Sequence, residues 1–361
     1  MDSSNRKRVW SKELLFGVVL TVASLAFVLT VLEFGGRVFG FFPPPSGAYR
    51  FSKTKGYELS PGQGDVNSAG FRDHEYQLTK PGHTFRIVAV GDSFTFGAGV
   101  KPEETYSKRL EAMLNEQFGG KSMRFEVLNT GVPGYNTHQE LIHLQELGLR
   151  FEPDLIVVGF TMSDAELGDL GLKDAQKRER LIHFKEWLKN HFGLYGFLRL
   201  RMKRLVDWFN SASLDANNIG GSAVIPLRLA ANGKPSPGWN LCRESLGEIA
   251  VLGRAHGCPI MLVIFPFLDR LDDTYPFAAE HGLVARTGRE NQMVVLDLFP
   301  AFRGLQPPKL WVTPTDSHPN SHGHLIAAEC IFKTVVASGL IPSPAGSDEG
   351  LVSKAGSTRR H

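Results

Sequence analysis

A serine hydroxyl is a poor nucleophile unless a base stands beside it. In this chain Ser93 follows Gly91-Asp92 at the abrupt end of an apolar run rich in β-branched residues, 87–90. The matching base is His318, in Pro314-Thr315-Asp316-Ser317-His318-Pro319-Asn320, with Asp316 two residues upstream. In such a set the histidine takes the serine proton, and the aspartate holds the imidazole tautomer and stabilises the imidazolium. The oxyanion of an acyl-transfer reaction needs donors as well. The backbone N–H of Ser93, the backbone N–H of Gly134 in a Gly/Pro-rich loop, and the hydroxyl of Ser163 are the candidates. Asp92 and Asp164 read as loop-bracing hydrogen-bond acceptors. His318, His322 and His324 have no cysteine or carboxylate cluster at ligand spacing, so neither a metal nor another cofactor is expected.

These residues need a scaffold that brings them to one edge. Residues 85–90, 125–128, 155–160, 260–265 and 293–298 are short apolar runs. Helical spacing occupies 104–118, 138–149, 241–256, 277–286 and 321–338, with Thr137 a candidate cap. Strands alternating with helices predict a five-stranded parallel sheet covered on both faces, with right-handed crossovers. Ser93, Gly134 and Ser163 each follow the carboxyl end of a strand, where open α/β sheets bind their ligands. The segment 67–73, Asn-Ser-Ala-Gly-Phe-Arg-Asp, reads as a loop packed on this domain, because Phe71 needs cover.

Residues 14–32 form a 19-residue run without a charge, long enough to cross a bilayer core as a helix. Arg6, Lys7, Arg8 and Lys12 precede it, which predicts the N-terminus inside and the rest periplasmic or extracellular. No small-x-small cleavage site follows, so an uncleaved single-pass anchor in the cytoplasmic membrane is expected. The expected organisation is a cytoplasmic segment 1–13, an anchor 14–34, a linker 35–60, a catalytic domain 61–340 and a disordered tail 341–361. Net charge is +3 and hydrophobic content 42%. That is an ordinary globular composition without the basic footprint of a nucleic-acid-binding protein. Three cysteines at unrelated spacings are neither a zinc set nor a disulfide framework.

Residues 170–238 break the alternation and read as an insertion. Within it, 173–204 carries ten Lys or Arg against three acids, interleaved with Trp187, Phe192, Tyr195 and Phe197. A solvated helical hairpin, a membrane-surface segment and a lid over the catalytic loops all fit that pattern.

The blocks Gly91-Asp92-Ser93, Asn129–Gly134, Thr161-Met162-Ser163-Asp164 and Asp316-Ser317-His318-Pro319-Asn320, in this order, resemble the SGNH (GDSL-like) hydrolase superfamily, and Asn67–Arg72 with Tyr275-Pro276-Phe277 look like its membrane-anchored bacterial members. The resemblance implies a flavodoxin-like α/β/α sandwich and metal-free ester hydrolysis or acyl transfer. It implies Ser93 as nucleophile, His318 as base, Asp316 as its partner, and Ser93, Gly134 and Ser163 around the oxyanion. Ser163 stands where the family has an asparagine, and Asp316 is one residue closer to the histidine than in the common Asp-x-x-His block. The expected activity is an esterase acting on an acylated envelope glycan, a lipid or another ester. An O-acyltransferase, or a weakly catalytic glycan-binding module, is the alternative.

Overall fold

In a computed structural model of the chain, the apolar runs pair into one parallel sheet. The structure describes residues 12–39, 49–120, 123–165, 193–195, 202, 236–314 and 316–342. The chain divides into two compact units, residues 1–49 with 176–221 and residues 50–175 with 222–361.

In the first unit, helix α1 (Lys12–Val38) contains a stretch, Phe16–Val38, long and apolar enough to cross a membrane. Its side chains are exposed, Phe16, Phe27 and Phe34 by about 70% each. Near its end Glu33 pairs with Arg37 and accepts the backbone N–H groups of Gly193 and Leu194, each at 2.8 Å. The helix therefore runs past residue 34, the end expected for the anchor. Residues 1–11 of the segment 1–13 expected to be cytoplasmic, the Pro-rich stretch 43–45, nearly all of the insertion expected at 170–238, and residues 343–361 of the tail expected at 341–361 lie outside the described residues.

The second unit begins within a hairpin, β1 (Tyr49–Ser52) and β2 (Gly56–Leu59), from Arg50 onward. Residues 49–59 are thus not part of a linker, contrary to expectation. Lys55 and Leu59 are buried at 4% and 2% exposure, and Gln139 Nε2 donates to the Lys55 carbonyl at 2.7 Å. Such docking overrides a polar composition that reads as free chain.

Strands β3 (Thr84–Gly91), β4 (Arg124–Asn129), β5 (Leu155–Phe160), β6 (Ile260–Ile264) and β7 (Val294–Asp297) lie in the order β4-β3-β5-β6-β7, all parallel. This is the flavodoxin-like order, with its switch point beside β3. Side chains alternate between two cores, as a strand's period of two requires. Val88, Val90, Ile156, Val158 and Leu262 pack under helices α4 (Thr137–Glu146), α5 (Pro237–Ala255) and α6 (Ala278–Glu290). Ile87, Ala89, Val157, Met261 and Val263 pack under α3 (Tyr106–Phe118) and α8 (Ser321–Ala337). Two short helices, α2 (Ser93–Phe96) and α7 (Phe299–Phe302), follow β3 and β7. The last sheet is a two-stranded antiparallel pair, β8 (Trp311–Thr313) with β9 (Asp316–Pro319).

Two boundaries differ from the sequence reading. Helix α4 is capped by Asn136, not Thr137: Asn136 accepts from Gln139 N, and the Gln139 side chain accepts from Asn136 N. The reciprocal pair makes the better cap because it satisfies two donors at once. The helix stops at Glu146, and residues 148–151 form a single 3-10 turn.

Candidate active site

Strand β3 delivers Ser93 through a turn that leaves no room for a side chain at Gly91. A Cβ there would meet Thr95 Oγ1 at 2.0 Å and the Gly159 carbonyl at 2.7 Å. Asp92 then caps α2, with Oδ1 accepting from Phe94 N at 2.8 Å. The helix lasts one turn and ends at Gly97, whose φ of 79° closes it in the left-handed region. Arg72 locks the end of that turn: its guanidinium donates to the carbonyls of Phe96, Gly97 and Val100 and lies over the Phe96 ring at 4.8 Å. Phe71 beside it is fully buried, so segment 67–73 is a packed brace for the serine turn.

The candidate base comes from much further along the chain. Ser93 Oγ lies 2.8 Å from His318 Nε2, and His318 Nδ1 lies 2.6 Å from Asp316 Oδ1. The same Asp316 oxygen accepts the backbone N–H of His318 at 3.2 Å. Asp316 and His318 both sit on β9. Asn320 caps α8 through His322 N and Gly323 N and donates to the carbonyls of Lys309 and Trp311. Trp311 Nε1 in turn donates to the Leu268 carbonyl at 2.9 Å. His318 is thus held between a strand pair and a capped helix. The His318 and Asp316 side chains are 32% and 43% exposed.

Gly134 lies in the loop after β4. That loop runs against the serine turn: Val132 N donates to the Gly91 carbonyl, and a Cβ on Gly131 would come within 2.3 Å of Phe96 N. Gly134 has φ 79°. The backbone N–H groups of Ser93 and Gly134 make no hydrogen bond among the described residues.

Ser163 is differently engaged. Its hydroxyl lies 3.2 Å from Asp92 Oδ2 and 2.6 Å from Thr161 Oγ1, and Thr161 itself donates to Asp92 Oδ2 at 2.9 Å. Its proton goes to a buried carboxylate or to a neighbouring hydroxyl. Asp164 accepts Thr161 N at 2.7 Å. Asp92 therefore ties the turn after β3 to the turn after β5.

Behind these turns the charges are unusual. Burial pushes the Asp92 carboxyl up, against the pull of the Phe94 N–H, the Thr161 hydroxyl and His318. Asp164 and Glu140 are pushed well up, first by burial and then by neighbouring carboxylates. Among the described residues, neither Glu140 side-chain oxygen has a hydrogen-bond partner. His143 is held down to about 4 by burial and then Lys55, and His324 to about 3 by burial and then Arg109. The three C-terminal histidines diverge: His318 faces Ser93, His322 is exposed, and His324 Nδ1 accepts from Tyr106 N at 3.2 Å. No group of three metal-ligating side chains occurs among the described residues.

Sequence reasoning missed Tyr57, Trp311 and the role of Arg72. The signal for Arg72 was its place beside Phe71; Tyr57 and Trp311 carried none.

A model of the GDSL-like lipase/acylhydrolase family matches residues 89–326. Among solved structures, the chain is similar to TesA at 14% identity and a TM-score of 0.42, over 71% of this chain and 99% of that one. It is similar to a catalytic mutant of Axe2, an acetylxylan esterase from Geobacillus stearothermophilus, at 14% identity and 0.43, over 71% and 96%. A two-domain esterase active on acetylated mannans gives 15% and 0.42, over 73% and 53%. No curated protein matches the sequence.

Proposed function

We propose that this chain, which belongs to the GDSL-like lipase/acylhydrolase family and hydrolyses ester bonds, does so through Ser93, His318 and Asp316. The observation that carries this reading is the unbroken line from Ser93 Oγ to His318 Nε2 at 2.8 Å and from His318 Nδ1 to Asp316 at 2.6 Å. Ser93 Oγ attacks the ester carbonyl carbon, and its proton passes to His318 Nε2. The imidazolium keeps its Nδ1–H on Asp316. Negative charge on the former carbonyl oxygen is met by the N–H groups of Ser93 and Gly134. As the tetrahedral intermediate collapses, the C–O bond to the alcohol breaks and His318 returns the proton to the departing oxygen. Water, deprotonated by His318, then attacks the acyl-Ser93 carbonyl; the bond to Ser93 Oγ breaks, His318 returns the proton to that oxygen, and the acid is released. An acceptor hydroxyl in place of that water gives transfer. Ser163 joins the oxyanion site only by turning its hydroxyl away from Asp92 and Thr161.

The substrate class is inferred from topology. Helix α1 anchors the chain to the cytoplasmic membrane with residues 1–13 inside. Residues 50–165 and 236–342 face the periplasm or cell exterior. An outward-facing esterase tethered beside a bilayer meets acylated envelope glycans and lipids before it meets soluble metabolites. The test has two arms. The full-length protein in detergent is assayed on p-nitrophenyl esters of increasing chain length, with Ser93→Ala as control. Envelope glycans and lipids from cells carrying wild-type or Ser93→Ala protein are compared by mass spectrometry. Hydrolysis lost in Ser93→Ala, with changed O-acylation of one envelope component, is the expected result. Equal hydrolysis by wild type and Ser93→Ala refutes the reading.

A further inference from the structure

We propose that Tyr57, on the hairpin strand β2, is a positioning residue that orients and polarises the peptide supplying an oxyanion donor. This rests on the reading of Gly134 N–H as such a donor. The Tyr57 hydroxyl donates to the Pro133 carbonyl at 2.8 Å. That carbonyl and the Gly134 N–H belong to one peptide unit. In a planar trans peptide the C=O and N–H point in opposite directions, so a hydrogen bond that fixes the carbonyl also aims the N–H. It also acts electronically, because hydrogen bonds in a chain polarise one another. A donor on the carbonyl makes the N–H at the other end of the amide a stronger donor.

The clamp has two points. Tyr135 Oη donates to the Tyr57 backbone carbonyl, so the residues on both sides of Gly134 are bonded to Tyr57. The two tyrosine rings meet edge to face with centroids 5.3 Å apart. A Cβ on Gly134 would stand 2.8 Å from the Tyr57 hydroxyl, so that hydroxyl sits hard against the peptide it holds. The hairpin is itself fixed: Gln139 on α4 holds the Lys55 carbonyl, and the buried Lys55 ammonium pairs with Glu58 and Glu146. Tyr57 therefore acts on the reaction through the amide it holds.

The test uses full-length protein in detergent, p-nitrophenyl acetate, and two replacements of Tyr57. Tyr57→Phe removes the hydroxyl and keeps the ring. Its kcat is expected to fall about 3- to 10-fold, the worth of one neutral hydrogen bond, with KM little changed, since the donor is used mainly in the transition state. A monofluorotyrosine at position 57 keeps the shape with a more acidic phenol, and its kcat is expected to exceed that of wild type. A tyrosine with only a structural role shows no response to fluorination, and that result overturns the proposal. So does a Tyr57→Phe kcat equal to wild type while Ser93→Ala is inactive. If Ser93→Ala remains active, the reading of the site itself has failed, and the proposal falls with it.

Discussion

Replacing Asp316 with asparagine separates two jobs that a triad aspartate usually does together. One Asp316 oxygen accepts both His318 Nδ1–H, at 2.6 Å, and the His318 backbone N–H, at 3.2 Å. The backbone N–H is a donor that cannot turn away. It therefore holds the carbonyl oxygen of an asparagine in the same place, and His318 keeps its proton on Nδ1. What Asp316→Asn removes is the charge facing the imidazolium. A unit charge pair at this range is worth about 1 kcal/mol in water and about 4 kcal/mol near a protein surface. With Asp316 43% exposed, roughly 1–3 kcal/mol is lost in the transition state, or about 5- to 150-fold in kcat. Asp316→Ala also loses the orientation and falls further. The assay is kcat and kcat/KM for p-nitrophenyl acetate against pH. In Asp316→Asn the acid limb moves to lower pH, because the neutral imidazole is favoured. A loss as large as that of Ser93→Ala refutes the tautomer reasoning; an unchanged rate and acid limb refute the role of Asp316.

Three further outcomes are expected of polar groups in and behind the site. Ser163→Ala is expected to cost less than about 10-fold in kcat, against the 100- to 1,000-fold typical of a principal oxyanion donor; a loss above 100-fold in an otherwise stable variant would make Ser163 such a donor. His143 and His324 are held at about 4 and about 3, below the 6.5 of the open chain. The native state thus binds fewer protons, and stability falls as pH drops below 6.5, by up to about 1.4 kcal/mol per pH unit for each histidine. The urea midpoint of wild type relative to His143→Gln should fall from pH 7 through 6 to 5, which isolates this histidine from the buried carboxyls of opposite sign; a difference that stays constant with pH would contradict this. Glu140 has the opposite sign. Its raised carboxyl keeps a proton that the unfolded chain gives up above 4.5, so stability is lost as pH rises from that value. Glu140→Gln should melt higher than wild type at pH 8 and converge with it toward pH 4.5; a lower melting point at pH 8 would show that the charged form is accommodated.

The central sheet was legible because its inner strands β3, β5 and β6 are buried on both faces, and double burial writes itself as continuous apolar text such as Ile87-Val88-Ala89-Val90. Ser93 and His318 were legible because chemistry demands those types next to that text. The hairpin was not: Arg50, Ser52, Lys55 and Glu58 read as solvent-facing, and only the folded partner explains why Lys55 is buried between Glu58 and Glu146. The strand pair β8–β9 was missed because three and four residues are too few to show a period. The engagement of Ser163 with Asp92 joins residues 71 positions apart, and no local pattern records it. Glu140 and His143 sit on one face of α4, where their polarity signalled a surface that the fold buries.

The nucleophile can be tested by covalent capture. The full-length protein is incubated with a fluorophosphonate and the modified peptide is located by mass spectrometry, in wild type and in His318→Ala. The expected result is a single adduct on Ser93, formed far more slowly without His318. No adduct on Ser93, with ester hydrolysis undiminished, would contradict a Ser93 nucleophile.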